Sequence, residues 1–358
     1  MGEPRHGPDD SVTADVPPEA RRPAVRPRVE LAMSPELPAK LFPPPVARRL
    51  RAVADVDLAA PLTEFTSADA RARLGRARVL LTGWGSPVID ERTLSHAPRL
   101  GAVVHAAGTV KGHVTPAIFA RGVRVSSAAA ANALPVAEYT LAMVLLANKA
   151  VPALARAYRE RRDRIDLIGE YPDVGNYAKT VGVVGASRVG RRVLELLAPF
   201  DLEVLVSDPY LGADEAAALG ARPVGLDELF ARSDVVSLHA PAVEATRGMV
   251  DAARLAAMRT GATLINTARG SLVDQDALLA ELRGGRISAV LDVTEPEIMA
   301  PDSELWRLPN VVLTPHVAGA LGTELVRLGA HAVDETLRFL AGEPLRHEVR
   351  PEQLASIA

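Results

Sequence analysis

The chain has 358 residues, more than one hydrophobic core ordinarily sustains, which suits two α/β domains with a cleft between them. Its 41 Lys and Arg against 44 Asp and Glu leave a net charge of −3, so no basic field exists to hold a phosphate backbone and nucleic acid is not an expected partner. The absence of cysteine removes disulfides, thiolate metal sites and a cysteine nucleophile, and no metal site is expected.

Residues 1–28 are rich in Pro, Arg, Asp and Glu and lack the apolar centre of a secretory signal, so they are expected to be a disordered tail on a cytoplasmic protein. From Arg78 onward, short runs of Val, Leu and Ile alternate with helical patterns, as in βαβ units whose parallel sheets are buried on both faces. The expected strands end at Thr82, His105, Ser126, Gly185, Ser207, Leu238, Asn266, Asp292 and Thr314. Between the third and fourth of these, Asn132 to Pro135 breaks the pattern, and because proline suits a first helical turn, a hinge is placed there. The apolar stretch from Tyr139 to Ala155 is interrupted by Asn148 and Lys149 and falls short of a bilayer span. It reads as a buried core helix, and no membrane partner is expected. After the fourth strand, Val189, Val193, Leu196 and Leu197 recur at three- and four-residue spacing, giving a helix one apolar face to lay on a sheet. The pattern as a whole predicts an α/β protein of two doubly wound parallel-sheet domains, Rossmann-like or flavodoxin-like.

The fourth strand, VGVVG, runs into Gly185, Ala186, Ser187, Arg188, Val189 and Gly190 and opens that amphipathic helix. A glycine turn in this place lets the backbone N–H groups of a helix N-terminus face a pyrophosphate, which the helix dipole favours. Asp208 closes the next strand about twenty positions on, the spacing of an acid that accepts hydrogen bonds from ribose hydroxyls. Its charge would repel a 2′-phosphate and no Lys or Arg follows before Arg222, so NAD is expected rather than NADP. Ser187 stands at the middle glycine position, where its Cβ and hydroxyl either crowd the phosphate or donate to it. Taken alone, these glycines equally suit a plain strand-to-helix turn.

Three later segments each follow an expected strand: INTARGSLVD, LDVTEPE and LTPHVAG. With GVVGASRVG and SLHAP, in this order, they resemble the D-isomer-specific 2-hydroxyacid dehydrogenase family; the likeness extends upstream, more weakly, through VVHAAGTVKGHV and NALPVAEYTLAMVLLA. Position by position, the resemblance implies that Arg269 binds the substrate, Glu297 orients a histidine and His316 is the acid/base. The chemistry is apt. A guanidinium holds a planar carboxylate through paired donors, and an imidazole exchanges protons near neutral pH. Family spacing from Asp292 selects Glu297 over Glu295, while Thr294 and Ile298 depart from the usual residues. The resemblance also assigns Ala268, His239 and Asp292 to the cofactor, Asp292 meeting the nicotinamide carboxamide. The backbone of Gly108, Thr109 and Val110 is assigned to the substrate carboxylate, as a small nest of amides can serve. Trp84 either lines the cleft or packs as core. Lys111 is either a solvated lysine or the attractor of a second anionic group.

The same resemblance divides the chain into a substrate domain, 29–133 plus 318–345, and an NAD-binding domain, 134–317, with a homodimer formed through the latter. The expected activity is NAD-dependent interconversion of a D-2-hydroxy acid and a 2-keto acid, with a small-molecule substrate as partner. Two other readings stay open: a non-catalytic NAD-sensing binding protein, and a relative acting on phosphite or a phosphono acid.

Overall fold

The computed structural model describes residues 26–354. Residues 1–25 of the expected tail lie outside the described residues, and Arg28 already begins a strand. The first sheet contains β1 (Arg28–Ala32), β2 (Asp55–Val56), β3 (Ala77–Thr82), β4 (Ala102–His105) and β5 (Arg124–Ser127). The second contains β6 (Thr180–Val184), β7 (Glu203–Ser207), β8 (Arg222–Pro223), β9 (Val235–Leu238), β10 (Thr263–Asn266), β11 (Ser288–Leu291) and β12 (Val311–Leu313). A last short strand, β13 (Glu348–Val349), returns to the first sheet beyond the expected boundary at residue 345 and pairs antiparallel with β5.

The first sheet runs β13-β5-β4-β3-β1-β2 and the second β12-β11-β10-β9-β6-β7-β8, with every pair parallel except β13 on β5. Both are doubly wound, so each has a point where the strand order reverses and a crevice opens beyond the strand ends. In the second sheet that point lies between β6 and β9, in register from Val181 with Val235 to Val184 with Leu238. The strands are apolar on both faces for this reason: Val79 and Leu81 enter one core cluster and Leu80 the other, while Val183 and Val184 divide likewise in the second sheet.

The helices that matter to the site are α1 (Ala129–Asn148), α2 (Val151–Arg161), α3 (Arg188–Leu197) and α4 (Leu325–Leu340). The expected break at Asn132–Pro135 is absent. α1 runs through it with Pro135 buried inside the helix. Proline there forfeits the hydrogen bond to Ala131 at a cost of about 3 kcal/mol, which burial of Ala133, Val136 and Ala137 along the same stretch offsets. Nor is Tyr139 to Ala155 one helix: Ala150 adopts a left-handed conformation at φ 48°, which ends α1 and starts α2 in a new direction. By length and composition α1 is apolar enough to cross a bilayer, yet it packs on α3, α4, β9 and β10 within the molecule. α2 buries none of its residues.

Candidate functional site

At the end of β6, Gly185 turns the chain at φ 92°, a conformation that disfavours any side chain, and a Cβ there would stand 2.6 Å from the Ala240 nitrogen. Gly190 has the same constraint for another reason, since a Cβ on it would run into the Gly185 carbonyl. Ser187 needs no glycine. Its backbone is extended, at φ −62° and ψ 180°, and its Oγ caps α3 by accepting the Gly190 N–H at 3.4 Å. Among the described residues, the N–H groups of Ser187, Arg188 and Val189 donate to no protein acceptor. Three consecutive amides at a helix N-terminus, with the exposed Arg188 guanidinium in no ion pair among the described residues, fit a pyrophosphate. Asp208 braces this turn from below, its Oδ2 accepting the Ala186 N–H at 2.6 Å and its Oδ1 the Tyr210 N–H at 2.7 Å.

His239, expected to sit by the cofactor, follows β9 beside the glycine turn, where a Cβ on Gly185 would stand 2.8 Å from its carbonyl carbon. Its ring is fully buried and hydrogen-bonded to Ser237 Oγ at 2.9 Å, and burial pushes its pKa down to about 3.

Asp292, 2 % exposed, anchors the loop that carries His316. Its Oδ1 accepts Thr314 Oγ1–H at 2.6 Å and the Val317 N–H at 2.8 Å, and its Oδ2 accepts the Ala318 N–H at 2.9 Å. Thr314 Oγ1 gives its proton to Asp292, so the Tyr139 hydroxyl, 2.8 Å away, is the donor to it. Burial, a larger effect than the nearby Asp292 charge, holds the Tyr139 phenol above its usual range, which keeps that proton in place. The loop also forces His316 to φ 55°, with its N–H directed at the Asp292 and Thr314 carbonyls. Such a conformation in a non-glycine residue costs about 1 kcal/mol or more and persists because its surroundings fix it.

His316 Nδ1 lies 2.6 Å from Glu297 Oε1, and both side chains are about half exposed. The carboxylate assigns the proton to Nδ1, leaving Nε2 without a partner among the described residues and open to give or take a proton. Glu297 is delivered by a loop packed tightly on the arginine segment: a Cβ on Gly270 would strike the Thr294 carbonyl and Glu295 nitrogen. Thr294 Oγ1 donates back to the Pro296 and Glu297 carbonyls, so this departure from the family residue closes the turn. Ile298 stands 84 % exposed and reaches no core.

Asn266 shapes the other catalytic loop, donating to the Arg269 carbonyl at 2.8 Å and accepting the Ala268 N–H at 3.1 Å. The Arg269 guanidinium is half-buried and, among the described residues, bonded only to the Ala268 carbonyl, at 2.6 Å. Burial lowers its pKa while Glu297 opposes the shift, so it is a cation with donors to spare.

The third segment is the loop after β4. The N–H groups of Gly108, Thr109 and Val110 donate to no protein acceptor among the described residues, although Val110 is fully buried. Unpaired buried amides are rare and point to an absent acceptor. Asn132 draws this loop toward the His316 segment: its side chain sits against Gly108 and Gly319, and its Oδ1 accepts the Ala320 N–H at 3.0 Å. Lys111 is half-buried with no ion pair among the described residues, and Trp84 is 38 % exposed. Sequence reasoning missed Asn132, Tyr139, Thr140, Asn266 and Thr314. For Tyr139 and Thr140, the available signal was two hydroxyls inside an apolar helix.

A glycine turn of the dinucleotide-binding kind at one switch point, with a His–Glu pair and an arginine in no ion pair among the described residues after other strands of the same sheet, defines the class. The NAD-binding domain model of the D-isomer specific 2-hydroxyacid dehydrogenases matches residues 141–318. D-3-phosphoglycerate dehydrogenase of Mycobacterium bovis is 36 % identical over 258 residues, 71 % of this chain and 48 % of that protein. The chain thus spans about half the length of the curated relatives it matches. The TT0316 protein of Thermus thermophilus superposes with a TM-score of 0.72 at 30 % identity, covering 90 % of this chain and 100 % of the other. Rhodotorula graminis D-mandelate dehydrogenase does so with 0.75 at 25 %, covering 91 % and 98 %. The chain belongs to the D-isomer specific 2-hydroxyacid dehydrogenase family, and NAD is its cofactor.

Proposed function

We propose that this protein interconverts a 2-keto acid and the D-2-hydroxy acid, with His316 as acid/base. The observation that carries the reading is the His316–Glu297 pair, which among the described residues leaves Nε2 without a partner, together with a half-buried Arg269 that makes no ion pair there and feels the Glu297 charge. NADH held at the 187–189 amides would supply the hydride for reduction of the ketone. Arg269 and the free amides of residues 108–110 hold the substrate carboxylate and orient the ketone, and His316 Nε2 delivers the proton to its oxygen. In the reverse direction Nε2 takes that proton, and Glu297 steadies the imidazolium. Residues 29–133 with 318–345 act as the substrate domain and 134–317 as the cofactor domain, closing on the substrate. Asp208 favours NAD over NADP. The half-buried Lys111, in no ion pair among the described residues, and the relatives named D-3-phosphoglycerate dehydrogenase together favour a substrate with a second anion. The protein works as a cytoplasmic homodimer, the sparsely buried α1–α2 segment of the cofactor domain meeting its copy.

The test is NADH consumption with a panel of 2-keto acids, simple, aromatic and phosphorylated, with NADPH alongside. His316→Ala should lower kcat by about 10²- to 10⁴-fold with NADH binding intact. Silence across the panel in a protein that binds NADH would remove the enzymatic reading in favour of a sensor.

A further inference from the structure

The two catalytic loops come from different strands, and the structure shows what spaces them. Tyr139 and Thr140, adjacent on α1, each reach one loop. Tyr139 OH bonds Thr314 Oγ1 at 2.8 Å, two residues before His316, and Thr140 Oγ1 bonds Thr267 Oγ1 at 3.2 Å, two residues before Arg269. Thr140 is fully buried, and Thr267 is 7 % exposed. Seven positions, two helical turns, before Tyr139, Asn132 fixes the far side of the His316 segment through the Ala320 N–H.

We propose that Tyr139 and Thr140 are positioning residues that set His316 and Arg269 at their working separation through one rigid helix. The proposal rests on the reading of the site as a 2-keto acid reductase. Consecutive residues on a helix point about 100° apart, so one backbone can brace two loops in different directions without a linker of its own. Neither hydroxyl needs to touch substrate. Thr314 still donates to Asp292 without Tyr139, so loss of the phenol loosens the His316 loop without unpairing the aspartate. Loss of the Thr140 hydroxyl leaves Thr267, and through it the arginine loop, without its brace.

The variants are Tyr139→Phe, Thr140→Val and Thr140→Ser in the full chain. Tyr139→Phe should lower kcat about fivefold with little change in KM, because it disturbs the proton donor. Thr140→Val should raise KM for the keto acid about fivefold with less effect on kcat, because it disturbs carboxylate binding, and Thr140→Ser should restore the parental KM. Amide hydrogen exchange gives a readout independent of turnover. Tyr139→Phe should speed exchange in residues 314–318 and spare 266–270, and Thr140→Val should do the reverse. Equal changes in both segments in both variants, or no change in either, would overturn the proposal. Selective exchange in a protein inert to every 2-keto acid would instead retract the catalytic reading.

Discussion

Lowering the pH from about 7 to about 5 should destabilise this protein through buried histidines other than His316. His105 and His239 are buried, and burial pushes each pKa down to about 3, with His113, 4.8 Å from His105 ring to ring, adding to the effect there. An unfolded histidine binds its proton near pH 6.5. Below that value the unfolded chain takes up protons that the folded chain refuses, so stability is full above about pH 6.5 and drains until about pH 3. At pH 5 the gap is about 1.5 pH units, or ~2 kcal/mol per histidine and ~4 kcal/mol for the pair. His331, also depressed by burial, adds in the same direction. A loss of this size is a large share of a typical folding free energy. Urea unfolding followed by tryptophan fluorescence at the two pH values measures it directly. His239→Gln should roughly halve the pH dependence attributable to the pair. A stability that holds constant or rises on acidification would refute the reasoning, as would an undiminished fall in a variant lacking both histidines.

Two substitutions near the cofactor separate support from contact. Asp292→Asn keeps one oxygen for Thr314 and Val317 but turns an amide toward the Ala318 N–H, and should cost about 2–3 kcal/mol in denaturant titration together with turnover; full activity and stability would show the loop to be fixed elsewhere. Ser187→Gly removes only a long cap bond, so stability should drop by a few tenths of a kcal/mol while calorimetry finds NADH bound at least as tightly. A tenfold weaker affinity would mean that the hydroxyl itself contacts the phosphates.

Most of the strands were legible because a parallel sheet covered on both faces must be written in Val, Ile and Leu. β1 was not, because RVELA places Glu30 in mid-strand; that carboxylate is 1 % exposed and survives burial by pairing with Arg28 and, at 2.7 Å, Arg73. Two-residue strands such as β8 and β13 carry no periodicity to read. Pro135 misled for the opposite reason, since a local preference for helix starts was overridden by packing along α1. The site divides the same way. Arg269, Glu297 and His316 stand in contiguous motifs at strand ends, whereas Tyr139 meets its partner across 175 residues and Thr140 across 127, separations that no local pattern encodes.

In the proposed reading, the distribution of unpaired donors lets a chain with net charge −3 hold two anionic molecules at once. It does so by local dipoles rather than by a long-range field. One triad of free amides, 187–189, follows β6, and another, 108–110, follows β4. Among the described residues each is supplemented by an uncommitted cation, Arg188 at the first and Lys111 beside the second, while most other arginines are engaged by carboxylates or carbonyls. A site built from backbone amides tolerates side-chain change, which is why Ser187 can stand at a usual glycine position without dismantling the turn. It also makes the cradles depend on whatever fixes the backbone. Asp208 beneath the first turn and Asn132 against Gly108 would therefore matter to the proposed anion binding as much as the amides, although neither carries a positive charge.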